Sequence, residues 1–482
     1  MSVWPFQPLE KILSDEPNAL TDGPFGSKLK TEHYTDSGVR VVRLGNLGVG
    51  EFDDEDRSFV SVEHAAQLER HKLADGDLLI AALAEPVGRC CPVPRSILPA
   101  IVKADCIRFR PAEHMNTRFV MHWMNSPQGR RNAEQHSHGV GRLRINMKAI
   151  RDLPVPVPPR DSQDETVAAI ETHFSRLDAA VASLTRAKAN VKRARASVLK
   201  AAVEGRLVPT EAALARAEGR DYEPASTLLA RIQQPPRPNR YKTRSTDVIP
   251  GHAALSVGDI NTPLPEGWAR AAMIDVARME TGHTPSRTHP EWWDGDIPWI
   301  GIADAREHHG GLINDTVQRT NKDGLASSAA RLLPAGTVCI SRTASVGYVV
   351  VMGRPMATSQ DFVDWVCTGA VDPHWARVVF LADREALARF GKGSVHKTIY
   401  FPELLSLHIA VPPLAEQHRI VAEVDRRLSV LDALDATLDA SLARCARLRQ
   451  AVLKRAFEGR LVPPESPGTR EPPPPEAEGA RP

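Results

Sequence analysis

"VLKAAVEGRLVP" at residues 198–209 returns as "VLKRAFEGRLVP" at residues 452–463, an offset of 254. Carried backwards at that offset, "LPVPVPPRDSQDETVAAIETHFSRLDAAVASL" (153–184) lies over "LHIAVPPLAEQHRIVAEVDRRLSVLDALDATL" (407–438) without a gap. Val157-Pro158-Pro159 meets Val411-Pro412-Pro413, Gln163 meets Gln417, and Leu177-Asp178 meets Leu431-Asp432. Shared alanine content does not produce a gap-free match through both a proline pair and a glycine–proline exit. The chain is an internal duplication.

Each copy has the design of a long helix. After the proline pair no proline or glycine occurs until Gly205 or Gly459, where a left-handed C-cap is expected. Apolar side chains fall at Val167, Ile170, Phe174, Leu177, Val181, Leu184, Val191 and Val198 in the first copy. The second copy gives Val421, Val424, Leu428, Leu431, Leu438, Leu442, Cys445 and Val452. A narrow stripe in seven-residue register predicts a coiled-coil seam, and each helix should be a rod of about 60 Å. Asp435, Arg195 and Arg449 interrupt the seam. If the helices run antiparallel, Asp435 is expected within a layer of Arg195, fixing register.

The segments ahead of the helices repeat more faintly. "LADGDLLIAALAEPVG" (73–88) parallels "LPAGTVCISRTASVG" (333–347), each reading as glycine turn, strand and small-residue loop. "GVRVVRL" (38–44) parallels "DIPWIGI" (296–302), and "HGVGRLRINMKAI" (138–150) parallels "KGSVHKTIYFPEL" (392–404). The expected fold class is α+β: two mixed α/β domains in pseudo-twofold repeat, separated by two long antiparallel coiled-coil helices. The expected bounds are 1–152 and 263–406 for the domains and 153–210 and 407–465 for the helical spacers. A linker is expected over 211–262, proline-rich and polar from 233, and a disordered tail over 466–482.

Composition narrows the class without deciding it. The net charge of +2 is not that of a simple nucleic-acid coat, although "EFDDEDRS" (51–58) and the acidic tail mask local basic clusters. Six cysteines show no metal spacing and are expected to be free buried thiols. No leader pattern or long apolar run is evident, so a soluble cytoplasmic chain without a membrane partner is expected.

With these residues in view, the chain resembles a specificity (S) subunit of a Type I restriction–modification system. In the second half the resemblance rests on "LPEGW", "TGHTPSRTHPEWWDGDIPWI" (281–300), "LPAGTVCISRTASVG", "TSQDFV" (358–363) and "VPPLAEQHRIV" (411–421), in that order. In the first half it rests on "TDGPFGSKLKTEHYTDSGVRVVRLGNLGVGEF" (21–52) and the "EGRLVPTEAALARAEGRDYEPASTLLARI" that follows the first helix. "RDSQDE" departs from the usual "LAEQ" at the first helix start, and the N-terminal lead is short. The resemblance implies two target recognition domains, each reading half of a split sequence in double-stranded DNA. It further implies docking of methyltransferase subunits, two of them, with restriction/translocase subunits joining through the complex. S-adenosylmethionine, ATP and Mg are then expected only on those partners, and no cofactor or metal on this chain.

The residues themselves offer no reaction centre. "GNLGVG" (45–50) has the wrong spacing for a dinucleotide fingerprint, a phosphate loop is missing, and neither a flipped-base pocket nor a nuclease triad is recognisable. His308-His309 and "HSH" (136–138) lack partners at ligand spacing. Base edges and phosphates are met by basic and polar side chains in loops. The candidate DNA-binding residues are therefore Lys28, Lys30, Arg43, Asn46, Arg142, Arg144, Asn146 and Lys148 in the first domain. In the second they are Thr284, Ser286, Arg287, Arg342, Ser345, Gln360, Lys392, His396 and Lys397. "HGVGRLRINMK" and "GKGSVHK" rank first, because glycine allows close backbone approach and cations cluster there. The competing reading is a non-enzymatic coiled-coil adaptor whose globular domains bind proteins, a reading kept open by the near-neutral charge.

Overall fold

The computed structural model describes residues 4–139, 141–235, 263–343, 345–383 and 398–461. In chain order the first half forms β1 (Phe6–Pro8), β2 (Leu20–Thr21), β3 (Tyr34–Thr35), β4 (Val39–Val42), β5 (Ser58–Val60), β6 (Leu78–Ala81), β7 (Cys90–Pro92), β8 (Ala100–Val102) and β9 (Cys106–Phe109). Helices α1 (Thr117–Met124), α2 (Pro127–Gln135) and α3 (Met147–Asp152), strand β10 (Pro154–Pro156) and the long α4 (Arg160–Val203) follow. Two shorter helices, α5 (Glu211–Glu218) and α6 (Ala225–Arg231), precede the second set of strands. These are β11 (Ala269–Ala272), β12 (Ala277–Thr281), β13 (Ile297–Ile300), β14 (Leu312–Ile313), β15 (Gln318–Thr320), β16 (Val338–Ser341), β17 (Val349–Met352), β18 (Ala357–Thr358) and β19 (Phe362–Cys367). Helix α7 (Pro373–Ala382), strand β20 (His408–Val411) and the long α8 (Leu414–Phe457) follow, and shorter helices such as Val62–Ala66 and Ile302–Glu307 lie between the strands.

The sheets repeat. In the first half the orders are β2–β9–β6–β7, β3–β5–β4–β8 and the ribbon β1–β10; in the second they are β12–β19–β16–β17–β14, β15–β13–β18 and the ribbon β11–β20. β2–β9–β6–β7 corresponds to β12–β19–β16–β17 and β5–β4–β8 to β15–β13–β18, including the parallel pairs β4–β8 and β13–β18, whereas β3 and β14 are edge strands without a counterpart. The central strands "LLIA" and "VCIS" are buried along their whole length, as continuous apolar runs at the middle of a covered sheet should be.

The chain divides into two compact units, one made of residues 1–185 with 439–482 and the other of residues 186–438. These differ from the expected bounds because each long helix starts in one unit and ends in the other. The core of the first unit takes Val167 and Ile170 from α4 but Leu453, Ala456 and Phe457 from α8. The core of the second takes Ile420 and Val424 from α8 but Ala202 and Val203 from α4. Within each unit the two helix segments therefore run antiparallel. Seam positions are buried or half-buried through both helices while their neighbours are exposed, in the 3-4 alternation of the sequence. Both helices end in the same way. Gly205 and Gly459 have φ of +67° and +69°, and Arg206 and Arg460 donate back to the carbonyls of Ala201 and Arg455 at 2.8 and 2.9 Å. That bond pattern is a Schellman cap.

Their starts are matched as closely. Buried Gln163 donates from Nε2 to the Pro158 carbonyl at 3.0 Å and accepts the Asn116 N–H at 2.7 Å. Buried Gln417 donates to the Pro412 carbonyl at 2.9 Å and accepts the Asp372 N–H at 2.8 Å. Asn116 and Asp372 are the N-caps of α1 and α7, so each glutamine ties a long helix to the helix behind the sheet. Trp4 meets Phe119 edge-on at 5.8 Å, and Trp268 meets Trp375 edge-on at 5.6 Å in the matching place.

Two expectations are corrected. Arg195 pairs with Asp432, one turn before Asp435, and the same pair recurs as Arg449 with Asp178. Asp435 is half-buried in the seam. The segment 211–262 is not all linker. Thr210 caps α5 through its hydroxyl, and Ala225 and Leu228 of α6 are buried against the second unit. Residues 236–262 and 462–482 lie outside the described residues.

Candidate nucleic-acid interface

In the first unit, the glycine-rich stretch forms a hairpin. His138 and Arg144 exchange two backbone hydrogen bonds of 2.9 Å, with Gly139 and Gly141 at φ +113° and +76° closing the turn. The hairpin is stitched to the loop after β6, since Ala84 donates to the Leu143 carbonyl at 3.1 Å and Ile145 to that of Ala82 at 2.9 Å. Arg142 is exposed near the tip, and its side chain has no hydrogen-bond or ion-pair partner among the described residues. Lys148 is likewise exposed on α3. Arg144 pairs with Asp105 at 2.5 Å and lies 6.0 Å from the centre of the Phe25 ring. That contact brings the short turn Gly26–Lys28, with exposed Lys28, beside the hairpin. Asp22 accepts the N–H groups of Gly23 and Asp105 at 2.7 and 3.0 Å, and burial pushes its carboxyl up to about 6.

Other candidates have structural duties. Asn46 is corrected: it is fully buried, accepts the Arg43 N–H at 2.9 Å and donates to the carbonyls of Asp53 and Asp56 at 2.8 Å each. Its amide is spent pinning the acidic loop. Asn146 spends its side-chain oxygen on capping α3, through Ala149 N–H at 2.8 Å. Lys30 pairs with Glu32 at 3.3 Å, and Arg43 with Asp56 at 3.3 Å. Arg40 and Arg57 neutralise Asp54 at 2.9 and 2.7 Å. The acidic stretch therefore turns its charge onto neighbouring arginines, and around Arg43, Arg57 and Lys103 lies a shallow depression that also takes in Tyr34 and Phe59.

The second unit repeats the stitching. Ile399 donates to the Arg342 carbonyl at 2.8 Å, as Ile145 does to Ala82, and Thr343 and Thr398 share a hydroxyl contact of 2.7 Å. Arg342 lies 4.9 Å from the Phe401 ring centre, and Ser345 sits half-buried in the same loop. Lys392, His396 and Lys397, the counterpart of the hairpin, lie outside the described residues. Thr284 donates to Gln360, joining the loop after β12 to the one after β18. Arg287 is held over Trp293 at 3.8 Å and near Trp299 at 5.4 Å, with a hydrogen bond to Gln318 at 2.8 Å. Ser286 bonds Thr288 at 2.7 Å.

Arg89 is a residue that sequence reading missed. It is 9% exposed and donates to the Leu47 carbonyl at 2.6 Å and the Leu44 carbonyl at 3.2 Å. It thus fixes the loop after β4 beside the loop after β6. Nothing local in "VGRCC" signals this, because both partners are backbone carbonyls more than forty residues away.

The exposed donors of these loops suit phosphate oxygens and base edges. Among the described residues no group of His, Cys, Asp or Glu could hold a metal ion, and no helix is long and apolar enough to cross a membrane. Five of the six cysteines lie in or beside strands, and burial pushes Cys91 and Cys367 up to about 12.

The profile of the family described as Type I restriction modification DNA specificity domain matches residues 265–443. The specificity subunit of the MjaIX enzyme of Methanocaldococcus jannaschii is 26% identical over 159 residues, covering 33% of this chain and 37% of its own. That of the HindI enzyme of Haemophilus influenzae is 31% identical over 97 residues, covering 20% and 21%. These aligned stretches thus span well under half of either relative. The EcoKI specificity subunit of Escherichia coli aligns over 438 residues at 21% identity, covering 89% of this chain and 84% of its own. A solved chain from work on "complex assembly and conformational transition of the type I R-M system" superposes with a TM-score of 0.66 at 16% identity, over 95% of this chain and 98% of its own.

Over residues 265–443 the chain is similar to the Type I restriction modification DNA specificity domain, and over nearly its whole length it shares the fold of that solved chain.

The matched region runs from just before β11 through most of α8. Strands β2–β9 lie outside it, yet apart from the edge strands β3 and β14 they pair in the same order as the matched half.

Proposed function

We propose that this chain is a specificity subunit, the sequence-reading, non-catalytic component of a Type I restriction–modification complex, acting on DNA in the cytoplasm. Each unit reads one half of a bipartite duplex target through the loops after β4, β6, β13 and β16 and through the hairpin 138–144. Methyltransferase subunits dock on the paired helices, and restriction subunits join through them. S-adenosylmethionine, ATP and Mg act on those partners. One observation carries the reading: the loop after the central strand is stitched to the same downstream isoleucine in both units, Ala82 with Ile145 and Arg342 with Ile399. Two copies of one loop scaffold, with different side chains mounted on it, suit a reader of two different half-sequences.

Methylome sequencing of cells with and without the gene tests the reading. The expected result is loss of one bipartite methylated motif when the gene is deleted. An unchanged methylome, from a strain whose methyltransferase partners are expressed, would instead favour a protein-binding adaptor.

A further inference from the structure

The loops after β2 and β12 are mounted alike in the two units but carry different side chains at their tips. Gly23 runs against the backbone just after β8, where a Cβ would meet the Lys103 carbonyl carbon at 2.0 Å. Gly282 runs against the end of β18, where a Cβ would meet the Thr358 carbonyl oxygen at 2.1 Å. Only glycine permits so close an approach. With these two glycines aligned, Phe25 falls opposite Thr284 and Lys28 opposite Arg287. Thr284 spends its hydroxyl on Gln360. Phe25 has no polar group to spend, and it stands 52% exposed between buried Pro24 and Gly26, the latter at φ +57°.

The ring is exposed but its mount is rigid. One carboxylate oxygen of Asp22 accepts the N–H groups of Gly23 and Asp105, and His71 donates from Nδ1 to the Asp22 carbonyl at 2.7 Å. Asp105 in turn holds Arg144, whose guanidinium lies over the Phe25 ring. The turn is thereby tied to the end of β8 and to the hairpin 138–144, and the pinned backbone holds the ring outward. Two exposed cations accompany it: Lys28 on the same turn, and Arg142, whose side chain is unpaired among the described residues. An apolar ring on a fixed mount, flanked by cations, suits the parting of two stacked base pairs. The cations hold phosphates while the ring replaces the stacking that is lost.

Building on the DNA-reading role proposed above, we propose that Phe25 is an aromatic wedge. Its ring enters between neighbouring base pairs of the half-site read by the first unit, unstacks them and kinks the duplex there. The second unit, with Thr284 at this place, leaves its half-site stacked. Phe25 thus favours the base steps that open most readily, and it adds specificity without a hydrogen bond.

The test uses the full chain with its methyltransferase partners, on duplexes carrying the bipartite motif returned by methylome sequencing. 2-Aminopurine replaces each adenine of the half-sites and flanks in turn, the methylated adenines excepted. Emission is expected to rise on binding at positions within one half-site, and Phe25→Ala is expected to abolish that rise. Affinity should fall about ten-fold while the slope of log affinity against log salt stays unchanged, because the ring releases no counterion. Phe25→Leu, still an apolar wedge, should restore part of both signals. Both variants should keep the parent's thermal midpoint, since the ring lies outside the core. A parent complex that binds the motif without any Phe25-dependent emission would overturn the wedge. So would an affinity loss that vanishes when thymines of the motif are replaced by uracil, the mark of a methyl contact, or loss of methyltransferase subunits from the Phe25→Ala complex. A parent complex that binds no such duplex would refute the DNA-reading role itself, and this proposal with it.

Discussion

Arg142 stands near the tip of a glycine hairpin with its guanidinium unpaired among the described residues, whereas Arg144 two residues on is held by Asp105. The two side chains should therefore fail differently. Arg142→Ala is expected to weaken duplex binding several-fold and to lower the slope of log affinity against log salt by about one, as loss of one phosphate contact would. Fluorescence anisotropy at several salt concentrations measures both, and an unchanged slope removes Arg142 from the interface. His122 gives a prediction for stability. Burial, with help from Arg118, holds its imidazole down to about 4 against the ordinary 6.5, outweighing the Glu171 carboxylate 3.8 Å away. The folded state thus binds this proton less readily than the unfolded chain. Stability present above 6.5 should be lost as the pH falls from 6.5 towards 4. His122→Leu should flatten that part of the first unit's melting profile, read as thermal midpoint against pH. At this scale the sequence exposes charge and spacing but not spent capacity. Asn46 and Arg142 look alike as loop polar residues, and only the fold shows that one amide is consumed by Asp53 and Asp56.

The long helices were the most legible elements, because a seam in heptad register, a proline start and a glycine exit all agree on the same bounds. Gln163 and Gln417 could be matched from the repeat alone, though their role in tying α4 and α8 to α1 and α7 could not. The register contact was off by one turn for a physical reason. Asp435 faces the seam, but a long arginine reaches the flank, where Asp432 offers its carboxylate with 63% of the side chain exposed. Such an exposed pair contributes about 1 kcal/mol or less. Asp435 itself is half-buried, with no ion-pair partner among the described residues. Asp435→Leu should therefore raise the thermal midpoint by a few degrees and leave DNA affinity unchanged. A fall in midpoint would show that Asp435 has a stabilising partner. The short helices α5 and α6 were read as linker because proline, glycine and charge surround them. Their stability comes from burial on the second unit, which local pattern does not encode.

At the scale of the molecule, duplication has made the two units unequal in how their chain is supplied. The second is one continuous stretch, 186–438, whereas the first joins 1–185 to residues beyond 438. Its core depends on Leu453, Ala456 and Phe457, the last in edge-on contact with Phe119 at 5.2 Å and Trp123 at 5.2 Å. Truncating a buried Leu or Phe to Ala costs about 2–5 kcal/mol, so losing Leu453 and Phe457 together takes about 4–10 of the ~5–15 kcal/mol that holds a domain folded. A fragment of residues 186–438 should accordingly melt in one cooperative transition. A fragment of residues 1–185 should show no such transition until residues 439–465 are supplied, fused through a flexible linker. Differential scanning calorimetry separates the outcomes. Cooperative melting of 1–185 alone would mean that the far end of α8 is an attachment to the first unit and not part of its core.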